Sequence, residues 1–339
     1  MIKKLLLLVV LFNFNSVVLS QNDSIRLSNN NLLVGELKEL DKSVLSFDTD
    51  YADKDFKIKW GEIVEIYSSR NFIINLTNGD RFSSTINSDP NNKSNVLVVF
   101  AGKKQSIALS DVILLEPIAS SFFNRLEGAF DIGFTLTKTN NLRQVTSNFS
   151  LNYLAYKWDF SSKFNLVYSQ QDNIENVNRW SGNITAERAF VHNWFFQIRT
   201  DLLSNTEQKL KLRNTTGLGA GYYLKRNNNL SFNLSGGFAY NNEQFSNTED
   251  INNSMEGYLG LTFNKYDIGD LSLLTSLRYF PSITDSGRNR IDFNFTMKYD
   301  LPLDFYIKTE ITYNFDNQPT TGASKEDYVF QTTFGWSFN

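Results

Sequence analysis

A strict alternation of apolar and polar residues, running from about Gly128 to Asn339, constrains this chain more than any other feature. It divides into about twelve segments of roughly 10–14 residues. One of them places Phe130, Ile132, Phe134 and Leu136 on a single face. Because successive side chains of a β-strand point to opposite faces, a period of two predicts strands with one apolar and one polar face. Such strands form either a soluble β-sandwich with a dry core or a closed barrel with apolar side chains in lipid.

Segment length decides between these two structures. A strand that crosses a bilayer needs about 9–11 residues, whereas the strands of soluble proteins average about 5–6. Many segments also carry Trp or Tyr near an end and Leu, Ile or Phe in the middle, as the aromatic girdles of membrane barrels do. An open sheet edge has no water to bond to in lipid, so the sheet must close. We therefore predict an all-β chain with a transmembrane antiparallel β-barrel of about 12 strands over residues 127–339.

The connections between the segments alternate in length. Short links fall near Lys157, at 191–193 and at 225–229, whereas 171–178 and 241–252 are longer and rich in Asn. Outer-membrane barrels have short periplasmic turns and longer external loops. The alternation predicts an even strand number, with both barrel ends and everything before the barrel in the periplasm. The predicted location is the cell outer membrane, with outer-membrane lipid and the barrel-assembly machinery as partners.

Composition and the N-terminus agree with this location. The chain has 29 Phe, 15 Tyr and 5 Trp but no Cys, which favours strands and leaves no residue for a disulfide or a lipid anchor. Its formal net charge is −3 and no basic patch is present, which argues against nucleic acid as a partner. Lys3 and Lys4 precede the apolar run Leu5–Phe12. This pattern predicts a signal peptide over residues 1–20, cut after Ser20.

Residues 22–117 contain a tandem repeat with an offset of 49. The passage 25–31 matches 74–80, and 58–63 matches 107–112. Each unit reads as a hairpin followed by further strands, so we expect a small β-rich periplasmic module built as two small barrels or one duplicated sandwich. The module is either a site for a periplasmic partner or a soluble spacer. Residues 118–126 are the predicted linker to the barrel.

The polar face of the barrel segments carries charged residues at regular positions. Charges inside a membrane-spanning structure persist only if they are paired or hydrated, so these residues either line a narrow aqueous path or interlock into a plug. A barrel of about 12 strands lies between small filled barrels and open 16-stranded porins. The predicted lumen-facing charged residues are Lys163, Arg199, Asp201, Lys211, Arg213, Glu256, Arg278, Asp292, Lys298, Lys308 and Glu310.

Catalytic, metal and cofactor sites find little support in the residues. His192 is the only histidine, and it falls in a predicted turn, so a hydrolytic triad or a His-based metal cluster is not predicted. The acidic run 48–55 lacks the Gly and the closing Glu of a Ca²⁺ loop and reads as a solvated turn. The glycines of 217–221 fall on the inward face, where they make room in the lumen or let the strand bend.

The C-terminal strand ends in alternating aromatics. Phe334, Trp336 and Phe338 resemble the signal that the outer-membrane assembly machinery reads, although Asn339 follows the last aromatic. The same residues also suit a last lipid-facing strand.

A family resemblance points in the same direction. Ala186-Glu187-Arg188, Arg199-Thr200-Asp201, Leu212-Arg213-Asn214 and the segment 217–222 resemble the barrel pattern of the salt-induced outer membrane protein (YdiY-like) family, a domain of unknown function. The resemblance covers about residues 120–339. It implies a Gram-negative outer-membrane barrel without an established activity, and it transfers no catalytic residue.

These observations together predict a non-enzymatic outer-membrane barrel, acting as a narrow channel or as an envelope anchor for its periplasmic module. Two alternatives remain at this point. The chain could be an outer-membrane hydrolase, or an interaction protein that binds a periplasmic partner through residues 22–117.

Overall fold

The computed structural model describes residues 23–118, 126–138, 141–155, 157–172, 175–190, 192–247, 251–268 and 270–338. The predicted signal peptide, most of the predicted linker and Asn339 lie outside these ranges. Within them, no helix is long and apolar enough to cross a membrane.

The N-terminal module consists of nine strands in one antiparallel sheet. Its strands are β1 (Asp23–Leu27), β2 (Leu32–Asp41), β3 (Val44–Asp48), β4 (Phe56–Lys59), β5 (Ile63–Leu76), β6 (Arg81–Asp89), β7 (Asn92–Phe100), β8 (Lys103–Ala108) and β9 (Val112–Pro117). Strand β1 pairs with β2 and β5, and β9 also pairs with β2 and β5. These four strands therefore close into one small barrel, from which the others extend.

The tandem repeat is confirmed, but its two units share one barrel and do not form two. Ile25 of β1 lies opposite Ile66 of β5, and Ile74 of β5 lies opposite Leu115 of β9. Each residue of the second pair comes 49 positions after its counterpart in the first pair. The reason for the single barrel is that the 14-residue β5 ends the first unit and begins the second. Two short 3₁₀ turns, Trp60–Glu62 and Leu109–Asp111, also correspond.

The module has its own apolar core, to which the four strands of the small barrel and the strands that extend from it both contribute. Burial of these side chains removes apolar surface from water, which is the main favourable contribution to its folding. The indole of Trp60 donates a hydrogen bond to the backbone oxygen of Leu109 at 3.1 Å and so ties the two units together. Fully buried core residues include Ile25, Leu37, Leu45, Phe47, Ile66, Phe72, Ile74, Ile86 and Leu115.

The C-terminal part is a closed antiparallel barrel of twelve strands, as predicted. Its strands are 11 to 18 residues long. They are β10 (Leu126–Thr137), β11 (Leu142–Leu154), β12 (Trp158–Gln170), β13 (Val177–Ala189), β14 (Trp194–Asn205), β15 (Leu210–Asn227), β16 (Leu230–Phe245), β17 (Ile251–Ile268), β18 (Leu271–Pro281), β19 (Asn289–Asp300), β20 (Phe305–Asp316) and β21 (Glu326–Phe338). Strands β10 and β21 close it, from Gly128 opposite Phe338 to Asp131 opposite Gly335.

The polarity of the barrel is inverted relative to that of a soluble protein. Outward residues such as Phe134, Leu218 and Phe330 are 68%, 65% and 64% exposed, whereas the inward Glu243 and Glu256 are fully buried. Apolar patches of this size are rare on soluble monomers, and a lipid-facing apolar band around a polar interior is the pattern of outer-membrane barrels. The chain therefore folds as an outer-membrane β-barrel.

The predicted alternation of the connections is present in part, since the turns at one end of the barrel have two to four residues and those at the other end four to nine. Short turns at 155–157, 190–193, 228–229 and 301–304 lie at the end of the barrel where β10 begins and β21 ends. The module contacts this same end, which we call the module end. The longer connections lie at the opposite end, which we call the loop end.

Inward aromatic rings pack over glycines of neighbouring strands. A Cβ added at Gly219 would overlap the phenol of Tyr258, and one added at Gly221 would overlap the ring of Phe195. These glycines lie on the inward face beside Gln197 and Phe195 of β14. They make room for bulky side chains in the lumen, which is one of the two roles that the sequence predicts for them.

The lipid-facing surface makes a stability prediction. Leu218 lies at the middle of β15 and is outward-facing, so Leu218→Lys places an ammonium group in the bilayer. We expect a loss of about 2–4 kcal/mol in the free energy of unfolding, measured by urea titration in lipid vesicles. Leu218→Phe is the matched control, because it keeps an apolar side chain in lipid and should leave stability within about 1 kcal/mol. Equal stability of Leu218→Lys and Leu218→Phe would contradict a lipid-facing position.

Candidate functional site

The lumen of the barrel contains a polar cavity of about 1700 Å³. Side chains of the barrel form its wall, and module residues including Leu40, Lys42 and Lys57 form its boundary at the module end. Among the charged residues predicted to face the lumen, those that line this cavity are Lys163, Arg199, Asp201, Arg213, Arg278, Asp292, Lys298, Lys308 and Glu310.

Two of the predicted residues lie elsewhere. Glu256 is fully buried and paired with Arg290, beyond the cavity. Lys211 is exposed and departs from the predicted alternation, because the pairing of β15 with β16 shifts register between Leu210 and Leu212. The extra residue of this bulge brings Leu210, which is 2% exposed, into the inward row in place of Lys211.

At the loop end, four buried charged side chains interlock across the lumen. Glu243 accepts from Arg213 at 2.5 Å and is 2.8 Å from Arg288, and Arg288 is 2.6 Å from Asp316. Arg213 also lies 3.3 Å from Asp316. All four side chains are less than 10% exposed. Each charge is therefore paired in a buried environment, where an ion pair is stable only if its hydrogen bonds are complete. We call these four residues the loop-end network.

Two further ion pairs lie on the barrel wall near the loop end. Arg290 holds Glu256 through two hydrogen bonds of 2.9 and 2.6 Å, and both are almost completely buried. Arg179 lies 3.2 Å from Asp327, which also accepts from Asn205 at 2.7 Å. At this end the inward charges are therefore buried and paired with one another.

Sequence reasoning missed Glu243, Arg288 and Arg290. Ala239 and Asn241 of β16 face inward, and Glu243 is the next inward position of that strand. Arg290 is likewise the next inward position of β19 before Asp292. Longer predicted strands would therefore have included both residues. Arg288 lies in a loop, where no alternation applies.

In the middle of the lumen the charges are paired less completely. Arg199 binds Asp201 through hydrogen bonds of 2.7 and 2.8 Å, and Arg278 reaches the same carboxylate only at 4.0 Å. Lys308 contacts Asp131 and lies 3.2 Å from Glu310. Within the described part of the chain, Lys163 has no carboxylate within 4.0 Å, and its side chain is exposed to the cavity. This region is polar and accessible to water or a small solute.

At the module end, the hairpin that joins β5 to β6 docks onto the barrel. Arg81 donates to both oxygens of Asp159 at 2.7 and 2.8 Å, and its side chain is only 5% exposed. Asn75 orients the guanidinium by accepting from its Nε at 2.6 Å. Gly79 packs directly against Asn193 in the turn between β13 and β14.

Two further docking contacts are also polar. The ammonium of Lys54 lies 3.0 Å from Asp304, and the amide of Asn228 donates to the backbone oxygen of Val112 at 3.0 Å. The module is therefore held over the mouth of the barrel by hydrogen bonds and ion pairs.

Three carboxylates meet at this junction. Carboxylate oxygens of Glu39 on β2, Glu116 on β9 and Glu127 on β10 all lie within 4.8 Å of one another, the only such acidic group in the described ranges. Burial, together with the nearby charge of Asp41, raises the pKa of the Glu39 carboxyl, and Lys57 opposes this shift. Sequence reasoning missed the group because its members come from three distant strands.

The other candidates for chemistry stay apart. His192 is exposed in the β13–β14 turn, and among the described residues it contacts no nucleophile or carboxylate. In the acidic run, Asp48 pairs with Lys38 at 3.3 Å, and its acidic residues do not form a metal-binding group.

The proposed assembly signal lies on the closing strand. The side chains of Phe334 and Trp336 are 58% and 50% exposed on the outer face. The backbone of Phe338 pairs with Gly128, and its side chain is outside the described set. Recognition by an assembly machinery remains a prediction.

The raised pKa of Glu39 makes a pH prediction. The folded chain binds this proton more tightly than the unfolded chain does, so ionisation lowers folding stability as the pH rises from the unfolded value of about 4.3 through the raised folded value. We expect Glu39→Gln to raise the unfolding midpoint at pH 7 and to leave it unchanged at pH 4, by circular dichroism in detergent micelles. Glu207→Gln, at an exposed turn position, should change neither. A lower midpoint at pH 7 for Glu39→Gln would refute this account.

Comparison with known proteins places the barrel in a family. In fold, it is similar to the NanC porin, with 11% identity over 63% of this chain and 99% of the porin, and a TM-score of 0.40. It is also similar to the β-domain of the Bordetella autotransporter BrkA, with 11% identity over 63% of this chain and 97% of that domain, and a TM-score of 0.32. No curated protein matches the chain. The model of the family DUF481, described as a protein of unknown function, matches residues 130–338. This match agrees with the resemblance found in the barrel motifs, and the chain belongs to the DUF481 family.

Proposed function

We propose that this chain is a non-enzymatic outer-membrane barrel that does not conduct in its resting state and that holds its N-terminal module against its periplasmic mouth. The loop-end network carries this proposal. Separating these charges would leave buried groups without a compensating partner, which is strongly unfavourable. A lumen closed in this way is unsuited to continuous diffusion of solutes.

The periplasmic position of the module is part of the proposal. Its supports are the signal peptide pattern at residues 1–20, the short turns at the module end and the longer connections at the loop end. The barrel then serves as an anchor, and the module faces the periplasm, where a partner protein could bind it.

A second candidate function is a gated narrow channel. The cavity of about 1700 Å³ supports it, because a barrel that served only as an anchor could fill its lumen with side chains. The two functions differ in one property, which is whether the barrel conducts after both ends open.

The hydrolase alternative finds no support in the described residues. Nucleophilic catalysis needs a base within hydrogen-bond reach of a nucleophile, and His192 has no such neighbour there.

Conductance in planar bilayers tests the closed lumen. We expect the purified chain to give no unitary current steps. Glu243→Ala with Arg288→Ala, combined with Arg81→Asp at the module end, should give brief steps, because only the Arg213–Asp316 pair of the loop-end network then remains and the contact with Asp159 is lost. The matched control is Lys298→Ala with Asp300→Ala, which removes a partly exposed ion pair of 2.8 Å at the module end and should leave the chain silent. Heat-modifiability on gels confirms that each variant is folded. Steady conductance of the unaltered chain would contradict the proposal.

Protease accessibility tests the orientation. The exposed loop of the module at 50–55 is a suitable cleavage site. We expect added protease to leave the module uncut in whole cells and to cut it at this loop after the outer membrane is permeabilised, as detected by immunoblotting with an antiserum against the barrel. Cleavage of the module in whole cells would place it outside and overturn the orientation.

A further inference from the structure

The tandem repeat gives the module two equivalent hairpin tips, of which only one docks on the barrel. In the first, the amide of Leu27 donates to the backbone oxygen of Asn31 at 2.9 Å, and in the second, that of Leu76 donates to Asp80 at 2.9 Å. The first tip, 28–31, is exposed throughout. The second tip, 77–80, lies against the barrel. The two tips therefore have the same backbone and different surroundings.

Gly79 in the second tip replaces Asn30 of the first. Both residues have positive φ, +89° and +67°, so the turn itself accepts asparagine as well as glycine. A Cβ at Gly79, however, would lie 2.8 Å from the Cα of Asn193 and would overlap its backbone nitrogen. Glycine is thus required by contact with the barrel and not by the hairpin.

Arg81 occupies the position in the second repeat that Leu32 occupies in the first. Leu32 is 52% exposed, whereas Arg81 is buried in the paired contact with Asp159. Bidentate pairing of a guanidinium with a carboxylate is among the strongest polar contacts in proteins and fixes orientation as well as distance. The second hairpin therefore differs from the first at the two positions that make the docking contact.

The rest of the docking surface favours a contact that can open. Lys54 and Asp304 are exposed partners, which contribute little to stability. The side-chain amide oxygens of Asn193 and Asn228 are buried and accept no hydrogen bond from the described residues. Opening would expose both oxygens to water, which lowers the cost of undocking. Polar interfaces between domains of one chain commonly permit relative motion.

We propose that residues 77–81 are a latch that holds the module as a lid over the lumenal cavity, and that release of this latch opens the cavity to the periplasm. This inference rests on the proposed function, since it takes the loop end to be closed. The lid then controls which small solutes reach the polar wall around Lys163 and Arg278.

Labelling of a single introduced cysteine tests the latch. Because the chain has no native cysteine, no other thiol reacts with the label. Ser276 lines the cavity and is replaced by Cys. The rate of its reaction with a charged, membrane-impermeant maleimide is measured for the full chain in detergent micelles. We expect Gly79→Ala and Arg81→Asp each to raise this rate about tenfold or more, because each removes a docking contact.

The first repeat supplies matched controls. Asn30→Ala and Leu32→Asp change the equivalent positions of the exposed tip, and we expect neither to alter the rate. Restoring the ion pair in reverse, with Arg81→Asp and Asp159→Arg together, should return the rate to that of the original chain. A cysteine at Ser286, an exposed loop position, reports any general change in reactivity.

Each outcome is decisive. Equal rates in the latch variants and the first-repeat controls would overturn the latch, and so would a failure of the reversed pair to slow labelling. Rapid labelling of the unaltered chain would also overturn it if that chain is silent in a planar bilayer, because the loop end is then closed and the module does not cover the cavity. Rapid labelling together with steady conductance would instead show that the proposed closed lumen is wrong.

Discussion

The structure depends on the requirement that every backbone N–H and C=O within a bilayer be paired inside the protein. The pairing of β10 with β21, from Gly128 to Asp131, satisfies it by converting a twelve-stranded sheet into a barrel without edges. Once the sheet is closed, the two-residue period of a strand leaves only two environments. Outward positions such as Phe134 and Leu218 meet acyl chains, and inward positions meet the lumen. Hydrophobic side chains therefore stabilise the barrel by contact with lipid, and the polar side chains of the lumen need hydrogen-bond or ion-pair partners inside the barrel.

The inward polar and charged side chains find their partners in different ways along the lumen. A buried charge is costly unless it is paired and hydrogen-bonded. At the loop end the charges pair with one another, as Glu243 does with Arg213 and Arg288. In the middle, Lys163 faces the cavity. At the module end the inward carboxylate of Asp159 is paired by Arg81 of the module. The module is thus a polar partner for the barrel mouth, and the paired charges of the loop end and the docked module follow from the same physical rule.

The parts of this structure that repeat regularly could be predicted from the sequence. Alternation predicted the barrel, and the offset of 49 predicted a duplicated module, whose strand pairings at Ile25 and Ile74 are related by that offset. Predictions from alternation were wrong or incomplete where the strands are irregular or end. The bulge at Lys211 moves that residue out of the inward row, and Arg288 lies in a loop. The docking pair Arg81 and Asp159 and the carboxylates around Glu39 join residues far apart in the chain, and a single sequence carries no signal for such contacts.

The central claim is that module and barrel form one unit in which the module covers the lumen. Pulsed electron paramagnetic resonance on spin labels at Ser94→Cys in the module and Ser286→Cys at the loop end, in lipid nanodiscs, measures this most directly. Both positions are exposed, and the chain has no other cysteine. We predict one narrow distance population, as expected for two bodies held in a fixed relative position. A broad distribution, as expected for a module joined to the barrel only through the chain, would contradict it.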